Sequence, residues 1–344
     1  METKPFLRAL AGQACSPPPI WLMRQAGRYL PEYQSLRAKA SSFLEFCYTP
    51  VLAAEATLQP VRRFGFDAAI LFSDILVIPD ALGQKLTFET SGGPRLDPIA
   101  TPRDFGRLKT EIDRRRLSPI LETVSQVKAN LPAEIALIGF CGAPWTVACY
   151  MIAGRSSPDQ TQTRLFAYRE REAFQQLIGV LVDASAEYLS AQIEAGADAV
   201  QIFDTWAGIL PAAEFERWCI DPIVALIARL RLRHKNARIV GFPKSSHKLG
   251  EYAARAKIDA VGLDSSVDPY WARKSFDSNL ALQGNLDPLA LMAGGEALES
   301  GVRTILSAFK GRPHIFNLGH GILPQTPISH VERLLELVRK APIQ

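Results

Sequence analysis

Two stretches, Ala68-Ala-Ile-Leu-Phe-Ser-Asp74 and Asp198-Ala-Val-Gln-Ile-Phe-Asp204, decide how this chain reads. Each is a short run, apolar on both alternating faces for most of its length, that stops at a carboxylate. Such a run suits a strand buried on two sides, as in a parallel sheet. Working outward, similar runs occur at residues 19–23, 135–141, 238–244, 260–264, 281–285 and 314–318. Amphipathic helical stretches separate most of them. Thr49–Pro50 opens one helix as a cap followed by proline, and further helices are expected after Pro102, Pro158, Pro211, Ser246, Pro288 and Pro327. Gly65 and Gly196 stand where a helix should stop before a strand.

Eight strands alternating with helices is the count of a (β/α)₈ TIM barrel, and the expected fold is an α/β single barrel spanning residues 1–344. The long interval after the second strand contains residues 85–90 and a turn at Gly92, Gly93 and Pro94, read as a small inserted hairpin. A doubly wound open sheet is the alternative, because counting strands does not demonstrate closure.

Composition narrows the function classes. Hydrophobic residues make up 47% and charged residues 22%, values that exclude disorder and collagen and suit a large core. The net charge of +4 is too small, and its basic residues too dispersed, to argue for nucleic acid, yet it fits an anionic small molecule. Cys15, Cys47, Cys141, Cys149 and Cys219 are scattered and include no C-x-x-C pair, so neither a disulfide framework nor a common zinc module is expected. No apolar run reaches the roughly 18 residues of a membrane span, and no secretory leader pattern opens the chain. The expectation is a cytoplasmic protein with neither membrane nor nucleic-acid partner. Dinucleotide, P-loop, H-E-x-x-H and G-x-S-x-G signatures are all missing.

A barrel carries its active site at the C-terminal ends of its strands. Arg24 and Arg28 follow the first run and would share a face if the segment were helical, suiting carboxylate or phosphate capture; a solvated basic helix start is the bland alternative. Asp74 is read as sharing a strand face with Ile70 and Phe72, where a carboxylate needs a partner or a donor ligand; helix capping is the competing reading. Tyr150 lies about two turns into the helix after the third run, where packing would also account for it. Thr205 could equally be a cap. His320 stands between Gly319 and Gly321, read as an exposed sharp turn, against a satisfied structural histidine.

With those residues in view the chain resembles the uroporphyrinogen decarboxylase family over essentially its whole length. The resemblance rests on Leu22-Met-Arg-Gln-Ala-Gly-Arg-Tyr-Leu-Pro-Glu-Tyr33, Phe72-Ser-Asp-Ile-Leu76, Gly142-Ala-Pro-Trp-Thr146, Gly284-Asn-Leu-Asp-Pro288 and Asn317-Leu-Gly-His-Gly-Ile322. It implies a cofactor-free, metal-free homodimeric barrel that removes carbon dioxide from four acetate side chains of uroporphyrinogen III to give coproporphyrinogen III. It further implies that Arg24, Gln25, Ala26, Gly27 and Arg28 line the substrate cleft, that Asp74 faces the pyrrole N–H groups, and that Tyr150, Thr205 and His320 complete the contacts. Asp74 is assigned to stabilise a cationic pyrrole and Arg24 to donate a proton. Many relatives carry serine at the position of Thr205, and residues 242–248 receive no role. The alternative is a corrinoid-linked methyltransferase on a related barrel, which would need a thiolate–zinc site.

Overall fold

The computed structural model describes residues 4–89 and 93–340. Its centre is a curled parallel sheet of seven strands. These are β1 (Ala68–Ile70), β4 (Ala136–Gly142), β5 (Ala199–Asp204), β6 (Ile239–Pro243), β7 (Ala260–Gly262), β8 (Ala281–Gln283) and β9 (His314–Ile315). Their spatial order is β1-β4-β5-β6-β7-β8-β9, with every neighbouring pair parallel. Each strand but the short β9 buries every residue or nearly so, and β9 buries both of its own, because helices cover one face and facing strands the other.

Among the described residues two further strands form a separate antiparallel ribbon, β2 (Leu86–Glu89) against β3 (Gly93–Leu96), with Leu86 opposite Leu96. The turn expected around Gly92 lies outside the described residues.

Residues 19–22 run beside β9 and β1 without forming a regular strand. Ile20 bridges Phe316 in parallel, Trp21 N–H donates to Phe316 O at 3.3 Å, and Asp67 N–H donates to Ile20 O at 2.9 Å. Side chains reinforce the segment. Asp67 accepts from Ile20 N–H at 2.8 Å and Asn317 from Met23 N–H at 3.0 Å. The same device recurs around the sheet. Asp198, just before β5, accepts from Leu137 N–H, and Asp259, just before β7, accepts from Ile239 N–H, both at 2.8 Å. In each case an aspartate preceding one strand accepts from a main-chain N–H of the neighbouring segment.

Helix boundaries follow local chemistry. Pro50, Pro144 and Pro288 occupy first helical turns, and Asp287 caps the last of these by accepting from Leu289 N–H at 2.9 Å. Gly65, at φ +63°, ends the helix Pro50–Phe64 in the left-handed region that favours glycine. Two expectations are corrected. The segment after Pro102 is only a short 3₁₀ turn, and the long helix of that region, Arg114–Asn130, starts later under an Asp113 cap. The stretch 24–28 is not helical; the helix begins at Pro31, so Arg24 and Arg28 share no helix face. Among the described residues no helix is long and apolar enough to cross a membrane.

Candidate active site

Because the seven strands are parallel, their C-terminal ends share one side of the sheet. Asp74 lies four residues past β1, Tyr150 in the helix Pro144–Ala153 after β4, Thr205 directly after β5, and His320 five residues past β9. Arg24 follows residues 19–22 on the same side. Electrostatics shows which of these act on one another. The Arg24 guanidinium acts on Asp74, on the Tyr150 phenol and on the His320 imidazole, and the Asp74 charge also reaches Tyr150. Arg24, Asp74, Tyr150 and His320 therefore form one cluster.

The Asp74 reading needs correcting. β1 ends at Ile70, so Asp74 does not share a strand face with Ile70 and Phe72; it sits in the connection beyond. One oxygen accepts from Leu76 N–H at 2.8 Å, an aspartate turn just ahead of the short helix Val77–Ala81. Burial raises its pKa above the ordinary carboxylate range, while the Leu76 N–H and the Arg24 charge pull it back.

Arg24 has φ +61°, the left-handed region a non-glycine residue rarely occupies, and its side chain is exposed. Gly321 makes room for it. A Cβ on Gly321 would lie 2.4 Å from Arg24 Cδ. Gly319 likewise lets the chain pass against the Ser265 backbone, where a Cβ would meet Ser265 N at 2.3 Å. The two glycines flanking His320 thus serve close packing, and His320 is half-buried rather than on an exposed turn. Burial, with Arg24 and Lys244 adding to it and Asp264 opposing, pushes the imidazole pKa down to about 4. It is neutral at pH 7.

Gln25 is not placed toward this cluster. Its side chain is buried, donating to Ala68 O at 3.1 Å and accepting from Leu22 N–H at 3.1 Å. Its main chain bonds Leu22 O and the Tyr29 hydroxyl. The residue is a brace under Arg24. Ala26 and Gly27 are half-exposed and Arg28 is exposed. Among the described residues no acceptor meets the main-chain N–H groups of Ala26, Gly27 and Arg28.

Thr205 is half-buried beside a network built on Asp204. Asp204 Oδ1 accepts from the Thr146 hydroxyl at 2.5 Å, and Thr146 in turn accepts from Trp206 N–H at 3.2 Å. Thr146 and Tyr150 are one turn apart on the same helix, so this network connects the Thr205 turn to the Tyr150 helix. Burial pushes the Asp204 carboxyl up to about 6.

An aromatic row was not picked out from the sequence. Phe140, Phe203, Phe242 and His320 form successive ring contacts with centroids 5.8, 6.1 and 6.5 Å apart. The signal was a phenylalanine near the end of three successive runs, masked because phenylalanine is also what a core strand contains. Asp264 and Asn285, the polar residues that close the runs 260–264 and 281–285, are occupied internally. Asp264 accepts from Ser245 N–H and from Ser266, and Asn285 donates to Asp264 O and Val267 O. Among the described residues no three His, Cys, Asp or Glu side chains group as metal ligands.

The family model described as uroporphyrinogen decarboxylase matches residues 1–341. The chain belongs to the uroporphyrinogen decarboxylase family. It is 58% identical over 339 residues to a uroporphyrinogen decarboxylase of Rhizorhabdus wittichii, covering 98% of each chain. It is 54% identical over 341 residues to one of Chelativorans, covering 99% of each. Among solved structures a methyltransferase from Methanosarcina mazei shares the fold, with TM-score 0.80 over 98% of both chains and 19% identity. At that identity the likeness speaks for architecture alone. The methyltransferase alternative gains no functional support from it.

Proposed function

We propose that this chain is a carboxy-lyase that converts uroporphyrinogen III to coproporphyrinogen III, taking four acetate side chains to methyls. Full-length identity of 58% to a relative of that name carries the reading. The geometry supports it through one carboxylate, Asp74, standing with Arg24, Tyr150 and His320 at the C-terminal side of the sheet.

Loss of carbon dioxide breaks the bond between the acetate methylene and its carboxylate, and the electron pair needs somewhere to go. A proton added to a pyrrole carbon turns the ring into an iminium-like cation that accepts the pair. The methylene then takes a proton, and the ring carbon gives its own back, so one proton is consumed per carbon dioxide released. In this proposal Asp74 faces the pyrrole N–H groups and stabilises the cation, as preorganised charge stabilises any developing opposite charge. Arg24 delivers the ring proton, its placement fixed by the Gln25 brace and by Gly321. The free N–H groups of Ala26, Gly27 and Arg28, with the Arg28 fork, bind peripheral carboxylates. Tyr150 and Thr205 contact the macrocycle, and neutral His320 offers a hydrogen bond without adding charge. The Phe140–Phe203–Phe242 row supplies an apolar wall.

The architecture is proposed as a complete single barrel, with residues 19–22 as the eighth strand. Support comes from their bonds to Phe316 on one side and Asp67 on the other, and from Asp67 repeating what Asp198 and Asp259 do between regular strands. A homodimer in the cytoplasm belongs to the same reading and rests on the resemblance; sedimentation of the purified chain tests the dimer. The test of function is anaerobic incubation with uroporphyrinogen III and chromatography of the oxidised products. Stepwise appearance of species with seven to four carboxylates is expected. Unchanged uroporphyrinogen under those conditions overturns the reading.

A further inference from the structure

We propose that Lys244 is a carboxylate-binding residue of this site, holding one peripheral carboxylate of the tetrapyrrole. The inference rests on the decarboxylase reading and adds a contact to it. Lys244 directly follows β6, and its main-chain N–H donates to Asp204 O at 3.1 Å, which fixes it beside the Thr205 turn. Two residues earlier, the Phe242 ring packs against Phe203 and His320. Lys244 thus leaves β6 at the end of the sheet where the Phe242 and His320 rings meet.

The turn after Lys244 is rigidly set. Ser245 has φ +57° and donates its N–H to Asp264 Oδ2 at 2.6 Å. Gly208 leaves space for it, since a Cβ there would stand 2.4 Å from Ser245 O. Chain geometry of this kind, in a sparsely populated backbone region, is typical where a side chain must be aimed. Lys244 is half-buried, and among the described residues its ammonium has no ion-pair partner. Lys248, four residues on, differs by pairing with Glu251 at 3.0 Å. The carboxylate of the same rim, Asp264, already accepts from Ser245 and from Ser266 N–H and Oγ. The Lys244 charge is felt at His320 together with that of Arg24, so the ammonium belongs to the cleft. An unpaired, half-desolvated cation beside an apolar wall and a neutral imidazole matches a ligand that brings its own carboxylates.

The test compares wild type, Lys244→Gln and Lys244→Arg in anaerobic turnover of uroporphyrinogen III, with binding of the same compound measured separately. Lys244→Gln is expected to raise KM and Kd roughly tenfold, the scale of one charge-assisted hydrogen bond partly open to water. Turnover at saturation should stay within about twofold, and the rise of KM with salt should become shallower as one charge contact is lost. Lys244→Arg, which keeps the charge, should recover most of the affinity. Equal KM and Kd in wild type and Lys244→Gln overturn the proposal, as does an equal loss in Lys244→Arg. If wild type binds uroporphyrinogen without converting it, the decarboxylase reading fails, and the Kd comparison still decides the role of Lys244.

Discussion

The Thr146 hydroxyl donates to Asp204 Oδ1 at 2.5 Å and accepts from Trp206 N–H at 3.2 Å, so one side chain joins the end of β5 to the helix that carries Tyr150. Thr146 is fully buried, as is Asp204, and neither can exchange this bond for water. Thr146→Val keeps the shape and removes both interactions. Leaving the buried Asp204 oxygen unmatched should cost about 1–3 kcal/mol, the half-buried Trp206 N–H less, and Thr146→Ser should restore most of it. Thermal unfolding of the two variants checks this. Valine that unfolds like serine would show the bond contributes nothing.

Asp204 itself makes a pH prediction. Burial holds its carboxyl at about 6 in the folded chain, above its ordinary value, so the folded state binds the proton more tightly than the unfolded state. Between the ordinary carboxylate range and pH 6 the folded chain therefore carries more proton, and stability from this group falls as pH rises. Asp204→Asn lacks the titration. Its stability relative to wild type should increase from pH 4 to about pH 6 and level off above. Urea unfolding at pH 4.5 and 7.5 measures the difference; a constant difference would mean Asp204 titrates as if exposed.

The strand positions were legible because burial on both faces leaves an apolar run whatever the tertiary contacts are. Seven of the eight runs are strands, and the eighth, residues 19–23, is bridged at Ile20 only. Less legible was where each strand stops. The run from Ala68 to Asp74 stays apolar well past Ile70, because the connection beyond is itself buried by Phe43 and Phe46 packing on Phe72. A helical reading of Arg24 and Arg28 failed because Arg24 takes a left-handed φ that residue type does not announce. Gln25 looked like a ligand contact within a specific motif, yet its bonds run to Leu22 and Ala68; sequence displays the motif without separating contact from brace. The repeated Asp-Ala at 67, 198 and 259 was a visible sign of strand-to-strand ties that hydrophobic counting passes over.

Gly321 supplies a further prediction. A Cβ there would collide with the Arg24 stem at 2.4 Å from Cδ and 2.8 Å from Cγ. The stem is the movable partner, since Arg24 is exposed, so Gly321→Ala should displace the guanidinium at little cost in stability. Turnover should drop at least about tenfold, since misplacing a reacting group by about 1 Å is costly. The melting temperature should move by only a few degrees. Unchanged turnover would argue that the Arg24 position is not critical.

Asp74→Asn separates structure from chemistry at the central carboxylate. Asparagine keeps an oxygen for the Leu76 N–H, so the turn ahead of Val77–Ala81 should persist, as asparagine and aspartate serve such turns about equally. The charge is lost while the shape is nearly unchanged. Neutralising a group whose burial already disfavours ionisation should leave folding intact or slightly improved. If Asp74 only shapes the turn, turnover stays close to wild type. If its charge stabilises a cationic pyrrole, turnover should fall by roughly 10²–10³-fold, the scale for removing one preorganised electrostatic group. Asp74→Glu restores the charge about one methylene out of place and should lie between the two. The measurements are anaerobic turnover with uroporphyrinogen III and thermal unfolding of both variants. An asparagine variant with wild-type turnover and an intact fold would remove Asp74 from the chemistry and leave it as a turn residue.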